Sequence, residues 1–213
     1  MVILHHLSNS HSHVILWLLE ELGLDYQIVP HQRDPQTRRS PESLRAVHPL
    51  AKAPTIEDHG VVMIESTGII LYLLDAYGGG RLRPPVGTAD AMRFFQWLTF
   101  IEGSAKAPLM AYFQTFRLPA EDPQRQASEQ FARSRIALIE AALEGADTVV
   151  PAMFTAADMQ LTFFEELMEA MLPMENWPNM HAHLLRMRQR DSYLRAEQKG
   201  GPVGLKQLFG FLR

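Results

Sequence analysis

The chain changes its hydrophobic period once, and that change limits what it can fold into. Strand-like and helix-like stretches alternate over residues 1–77. Gly78-Gly79-Gly80 and Arg83-Pro84-Pro85 then interrupt the pattern, and only helical spacing follows. Strands repeat every two residues and helices every 3.6, so one sheet cannot continue past such a change. Glycine and proline are the strongest breakers of both patterns. The sequence therefore divides into a mixed α/β domain over residues 1–77, a linker over 78–88 and an all-helical domain over 89–213.

Within the first domain, Val2-Ile3-Leu4-His5-His6-Leu7 reads as a strand. Val14, Ile15, Leu18, Leu19 and Leu22 then fall on one helical stripe, with Gly23 as the stop. Tyr26 to Val29 is a second strand, and Ser40-Pro41 opens a short helix. Pro54-Thr55-Ile56-Glu57 and Val61-Val62-Met63 flank Asp58-His59-Gly60, a hairpin turn by composition. Glu65-Ser66 opens a closing helix carrying Ile69, Ile70, Leu73 and Leu74. A parallel βαβ unit followed by a helix, a hairpin and a last helix is the thioredoxin arrangement. In the second domain the spacing predicts helices from about Thr88 to Phe116 with a bend at Pro108, then Pro123 to Leu143, Thr155 to Met171 and Pro178 to Arg188. The tail from Lys199 carries Leu208, Phe209, Phe211 and Leu212, which either fold back onto the body or hang loose.

Composition removes several functions. With 46% hydrophobic residues among 213, the chain can bury a substantial core. A net charge of −4 argues against a nucleic-acid partner. The longest apolar run, Val14 to Leu19, is too short to span a bilayer, and Ser8-Asn9-Ser10 ends the apolar start before a signal segment could form. A cytoplasmic protein with no membrane partner is expected. There is no cysteine, which excludes disulfides, thiolate metal sites and cysteine nucleophiles. Any thiol chemistry must use a thiol carried by a ligand.

Three segments of the first domain suit the parts of a tripeptide thiol. Asn9-Ser10 precedes the first helix, where partial positive charge favours an anion, although Asn and Ser are also ordinary helix caps. Lys52-Ala53-Pro54 leads into the third strand. A cis Ala53-Pro54 bond would turn the Ala53 backbone outward to pair with a peptide, while Lys52 could meet a carboxylate; a trans bond and a solvated lysine are the plain alternative. Glu65-Ser66 offers backbone N–H groups, a hydroxyl and a carboxylate at a helix start, or simply a charged first turn.

Taken together and in this order, these residues resemble the glutathione transferases over essentially the whole chain. The likeness is closest to the serine-type branch with bacterial and fungal members. Its first helix is similar to Trp17-Leu18-Leu19-Glu20-Glu21-Leu22-Gly23, and its third strand opens much like His48-Pro49-Leu50-Ala51-Lys52-Ala53-Pro54. Ile101-Glu102-Gly103-Ser104 with Pro108-Leu109-Met110, and Thr155-Ala156-Ala157-Asp158 as a structural capping box, also resemble the family. The resemblance implies that Ser10, or Asn9 in its place, holds the glutathione thiol. It assigns the Ala53 backbone before Pro54 to the cysteinyl unit, Lys52 to the glycyl carboxylate, and Glu65 with Ser66 to the γ-glutamyl head. It also implies glutathione as cosubstrate with no permanently bound cofactor, a small hydrophobic electrophile or hydroperoxide as second substrate, and a homodimer. A non-catalytic binding protein on the same fold is the alternative. This chain has His11-Ser12-His13-Val14 where the branch usually has Arg-Ser-Gln-Arg, Ala51 where glycine is usual, and Ala53 where a small hydroxyl residue is common.

His5, His6, His11 and His13 crowd one end of the sequence. His5 and His6 must point to opposite strand faces, and His11 and His13 diverge at a helix start, so no metal site is expected. His181 and His183 share that spacing and read as ordinary polar histidines. The methionines of the helical domain read mainly as core, and Tyr112, Phe113 and Phe116 as a wall for the electrophile.

Overall fold

In a computed structural model, which describes Met1–Phe209, strand β1 (Val2–Leu7) pairs in parallel with β2 (Tyr26–His31), from Val2 opposite Tyr26 to Leu7 opposite His31. Helix α1 (Ser12–Leu22) joins them and ends at Gly23, whose φ of 65° is the left-handed stop that glycine adopts without a Cβ clash. The short α2 (Glu42–Arg45) precedes β3 (Thr55–Asp58), which lies antiparallel to β1 with Thr55 opposite His5. β4 (Val61–Ile64) completes the sheet in the order β2-β1-β3-β4. The hairpin turn is His59-Gly60, both at positive φ (49° and 76°), the primed geometry that matches strand twist. Helix α3 (Ser66–Tyr77) follows. This is the expected thioredoxin-like arrangement.

The chain divides into two compact units. The first holds Met1–Arg81 and also Arg188–Gly204. The added segment forms a helix that the sequence reading missed, α9 (Asp191–Gly200), which packs on α1. That contact explains why α1 is buried nearly all round rather than along one stripe. Trp17 Nε1–H donates to Ser192 Oγ at 2.8 Å, Arg190 meets Glu21 at 2.8 Å, and Arg195 meets Glu20 at 3.0 Å. Burial would raise the Glu20 carboxyl, but bonds from Lys199, Tyr26 and Arg195 hold it below the usual range.

The second unit comprises Leu82–Met187 and the segment from Leu205. It contains α4 (Ala89–Phe100), α5 (Ala107–Gln114), α6 (Pro123–Ala142), α7 (Ala156–Met171), α8 (Pro178–Arg188) and the short α10 (Leu205–Phe209), which packs on α7. The expected bend near Pro108 is a π-helical turn over Ile101–Lys106 between α4 and α5. Pro108 has no N–H for the carbonyl four residues earlier, and its ring crowds that carbonyl, so the preceding turn widens. Leu208 of the tail lies within α10, whereas Phe211 and Leu212 lie outside the described residues.

Helix α7 is the core of this unit, and several of its buried polar side chains find partners inside: Gln160 donates to the Leu98 carbonyl and Thr162 to the Asp158 carbonyl, both at 2.8 Å. Thr155 and Asp158 form the expected capping box, with Asp158 accepting the Thr155 N–H at 2.8 Å and the Val149 N–H at 2.9 Å. His183 is not an ordinary polar histidine. It is fully buried, with Nδ1 2.8 Å from Glu165 and Nε2 3.5 Å from Asp158. Among the described residues no helix is long and apolar enough to cross a membrane.

Candidate functional site

The turn between β1 and α1 carries the first candidate residues. Asn9 adopts φ 55°, a left-handed conformation that asparagine tolerates, and this turns the chain toward α1. Its side-chain oxygen accepts the Gly204 N–H at 2.7 Å and its carbonyl accepts Arg33 at 3.3 Å. The Asn9 amide NH₂ is therefore its donating end.

Ser10 is buried, with its Oγ 2.7 Å from the Leu7 carbonyl and 2.8 Å from Ser12 Oγ. The direction of these bonds follows from their far end. His6 Nε2 lies 3.0 Å from the Gly200 carbonyl, which can only accept, so Nε2 carries the proton. Burial lowers His6 below the usual histidine range and keeps the ring neutral. Ser12 then donates to His6 Nδ1 at 3.0 Å, and Ser10 donates to Leu7 while receiving the Ser12 N–H at 3.2 Å. The hydroxyl expected to hold a thiolate thus has its oxygen fixed and its proton turned inward.

The second segment has the expected backbone: the Ala53-Pro54 bond is cis. Pro54 is buried, Ala53 half-buried and Lys52 exposed. Thr55 Oγ–H donates to the Lys52 carbonyl at 2.7 Å and pins the turn. Ala51 sits at φ 48°, a left-handed position that favours glycine, so the alanine here is held against its preference.

The third segment departs furthest from ordinary backbone. Glu65 has φ 77° and ψ 106° directly before α3, a sparsely populated conformation of the kind that clusters at ligand sites. Its side chain is exposed, while Ser66 is buried with Oγ 3.0 Å from His11 Nδ1. This bond ties the third segment to the residue after Ser10, and the pairing of His5 with Thr55 ties the second to the strand before it. The structure therefore brings the three segments to one end of β1.

The sequence reading missed Arg33, His6, His11 and Ser12 as parts of this region. Arg33 comes from the loop after β2 and reaches the Asn9 carbonyl, which puts a half-buried guanidinium beside the turn. No local pattern announces a contact made across so much chain. His5 and His6 do point to opposite faces, His5 to His31 and Glu57 and His6 to Ser12 and Gly200. The proposed aromatic wall differs from expectation: Tyr112 and Phe113 are buried and packed with Phe116, whose ring lies 4.9 Å and 5.4 Å from theirs. Only Phe116 of the three is partly exposed.

Residues 4–81 match the family model described as glutathione S-transferase, N-terminal domain. The chain is 36% identical over 104 residues to glutathione S-transferase 3 of Schizosaccharomyces pombe, and 33% identical over 115 residues to glutathione S-transferase 1 of Saccharomyces cerevisiae. Those matches cover 49% and 51% of this chain but 42% and 49% of the relatives, so the chain spans about half the length of the curated relatives it matches. A crystal structure of a glutathione S-transferase from Actinobacillus pleuropneumoniae superposes with a TM-score of 0.90 at 31% identity, covering 97% of this chain and 96% of that one. A glutathione transferase structure from Methylococcus capsulatus superposes at 0.77 with 25% identity. Such likeness over nearly the full length of a solved relative, with the family model on the sheet-bearing unit, means that this chain belongs to the glutathione S-transferase family.

Proposed function

We propose that the protein is a serine-type glutathione transferase that activates the glutathione thiol at Ser10, with Asn9 beside it, for attack on a small hydrophobic electrophile or hydroperoxide. The observation that carries this reading is the junction of the three segments at one end of β1, where Ser66 bonds His11 and Thr55, next after Lys52-Ala53-Pro54, pairs with His5. In this reading glutathione is cosubstrate rather than resident cofactor. The Ala53 backbone pairs with the cysteinyl unit, Lys52 meets the glycyl carboxylate, and Glu65 with Ser66 takes the γ-glutamyl head. Arg33 supplies positive charge that the 11–14 stretch lacks. The absence of cysteine from the chain supports a thiol that arrives with the ligand.

The chemistry asks little of the protein. Holding a thiol of pKa about 8.5 as thiolate at neutral pH needs a shift of roughly two units, or about 2.7 kcal/mol. One hydrogen bond to a charged group contributes about 1.5–3 kcal/mol. Ser10 supplies such a bond by exchanging its Leu7 partner for the sulfur, while Ser12 N–H continues to hold its oxygen. The test is a glutathione titration followed by thiolate absorbance, in which binding without new thiolate contradicts the reading.

A second reading, a glutathione-binding protein without turnover, is favoured by one observation: the Ser10 hydroxyl already donates to the Leu7 carbonyl. The same titration separates the two. The proposal also places the protein in the cytoplasm, in detoxification, as a homodimer. Exposed Val61 and Val62 on edge strand β4, and exposed Met92 and Phe95 on α4, support a self-association surface on each unit.

A further inference from the structure

Away from Ser10, four polar side chains form a single hydrogen-bonded line across the other face of the sheet. Ser43 Oγ lies 2.9 Å from His31 Nδ1, His31 Nε2 lies 3.0 Å from His5 Nδ1, and His5 Nε2 lies 2.8 Å from Glu57 Oε1. They come from α2, β2, β1 and β3, and the three strands are neighbours. The carboxylate end sets the direction. Glu57 can only accept, so His5 donates from Nε2 and leaves Nδ1 bare. His31 must then donate from Nε2, which leaves its own Nδ1 bare to receive the Ser43 hydroxyl proton. One tautomer assignment of two neutral rings satisfies every bond.

The two histidines are buried, at 4% and 5% exposure, while Ser43 stands on the exposed surface. Burial lowers His31 below the usual range, and positive charge on His5 or His6 would act the same way, so the ring is an available base at neutral pH. A hydroxyl within reach of a base that is itself oriented by a further group is the arrangement that activates serine nucleophiles. None of the four residues belongs to the glutathione machinery assigned above.

We propose that Ser43 is an activated nucleophile that accepts acyl groups from activated esters, in a reaction that needs no glutathione. Ser43 Oγ attacks the ester carbonyl carbon while its proton passes to His31 Nδ1. The resulting imidazolium is held by His5 Nδ1, and His5 by Glu57. The bond between the carbonyl carbon and the leaving oxygen breaks, and that oxygen takes the proton from His31 Nδ1 and departs as the alcohol or phenol, which returns His31 to the neutral base. Water then attacks acyl-Ser43 and gives a proton to His31. The acyl–oxygen bond breaks, the serine oxygen is reprotonated by His31, and the carboxylic acid leaves.

The experiment incubates the intact protein with p-nitrophenyl acetate in the absence of glutathione. It follows nitrophenolate release and maps the acetyl adduct by peptide mass. The expected result is a burst of nitrophenolate with the acetyl group on Ser43, both lost in Ser43→Ala, whose glutathione thiolate absorbance stays unchanged. His31→Gln should slow acylation by roughly 10²–10⁴-fold, the usual value of a positioned base. Because His31 is buried, the adduct position in the unaltered protein and the exposed Ser43→Ala substitution decide the matter whatever His31→Gln does to folding. No adduct, an adduct on another residue, or an unchanged rate in Ser43→Ala would overturn the proposal. None of these outcomes touches the thiol reading, which is judged by thiolate absorbance alone.

Discussion

His13 in the first unit and His183 in the second are both almost wholly buried, yet their environments push them in opposite directions. His13 stands at the start of α1 against Tyr193, ring centroids 5.1 Å apart, and neither of its nitrogens has a hydrogen-bond partner among the described residues. Burial, reinforced by His6, lowers it to about 3. His183 pays the same desolvation cost, but Glu165 and Asp158 overcome it and raise the ring to about 9. Loss of water disfavours charge in both places, and the sign is decided by whether a carboxylate shares the space. The first unit therefore keeps neutral histidines close to its candidate site, and the second stores a buried cation in its core.

The largest expected effect tests the acid side of this contrast. A histidine with a lowered folded pKa contributes stability that is present above its unfolded value near 6.5 and is lost as pH falls toward 3. At about 1.36 kcal/mol per unit, His13 should remove on the order of 5 kcal/mol over that window. Urea unfolding of the protein and of His13→Leu between pH 7 and 4 checks this. The variant should lose stability more slowly, and parallel acid limbs would show that His13 does not carry the acid loss.

The alkaline side belongs to the second unit. The raised His183 contributes stability that is complete below about 6.5 and lost as pH rises through about 9, on the order of 3 kcal/mol. Glu165, pushed up to about 7 by its burial, acts in the same direction at lower pH. His183→Gln should start from a less stable protein, since one partner of a buried pair is missing, but with a flatter profile between pH 7 and 9. An equally steep decline in that variant would assign the alkaline loss to other groups.

A smaller effect is expected at the bond that holds His6. A Cβ on Gly200 would lie 2.6 Å from Leu16 Cδ2 and 2.8 Å from His6 Nε2, too close on both counts. Gly200→Ala should cost about 1–3 kcal/mol, as overpacking does, and should break the bond that fixes the His6 proton. An unchanged denaturation midpoint would show that α9 does not hold His6 in place.

Legibility in the sequence tracks how local each cause is. Gly23, the His59-Gly60 turn and the Thr155–Asp158 capping box act within a few residues, and all were readable. The candidate segments were readable as residues of one converging site, but the bonds that join them were not. Ser66 meets His11 across 55 positions, and His6 meets Gly200 across 194, distances at which no periodicity reports a contact. Helix α9 was missed because a short helix bounded by Lys199-Gly200-Gly201 resembles a loose tail until its Ser192, Tyr193 and Ala196 face is seen buried. The inward turn of the Ser10 hydroxyl was likewise invisible, since it depends on which nitrogen of His6 carries the proton.

Ser10 is proposed to hold the sulfur of glutathione as thiolate. The most direct measurement is the pH dependence of thiolate absorbance for glutathione bound to the unaltered protein and to Ser10→Ala. The account predicts a bound thiol pKa lowered by about two units from 8.5, and a rise of one to two units in Ser10→Ala at nearly unchanged affinity. Turnover at neutral pH should fall by roughly ten- to a hundredfold, at about 1.36 kcal/mol per unit, and recover partly at higher pH. The same change in Asn9→Ala instead would move the role to Asn9. Glutathione that binds with an unshifted thiol in the unaltered protein, or that fails to bind at millimolar concentration, would contradict the account.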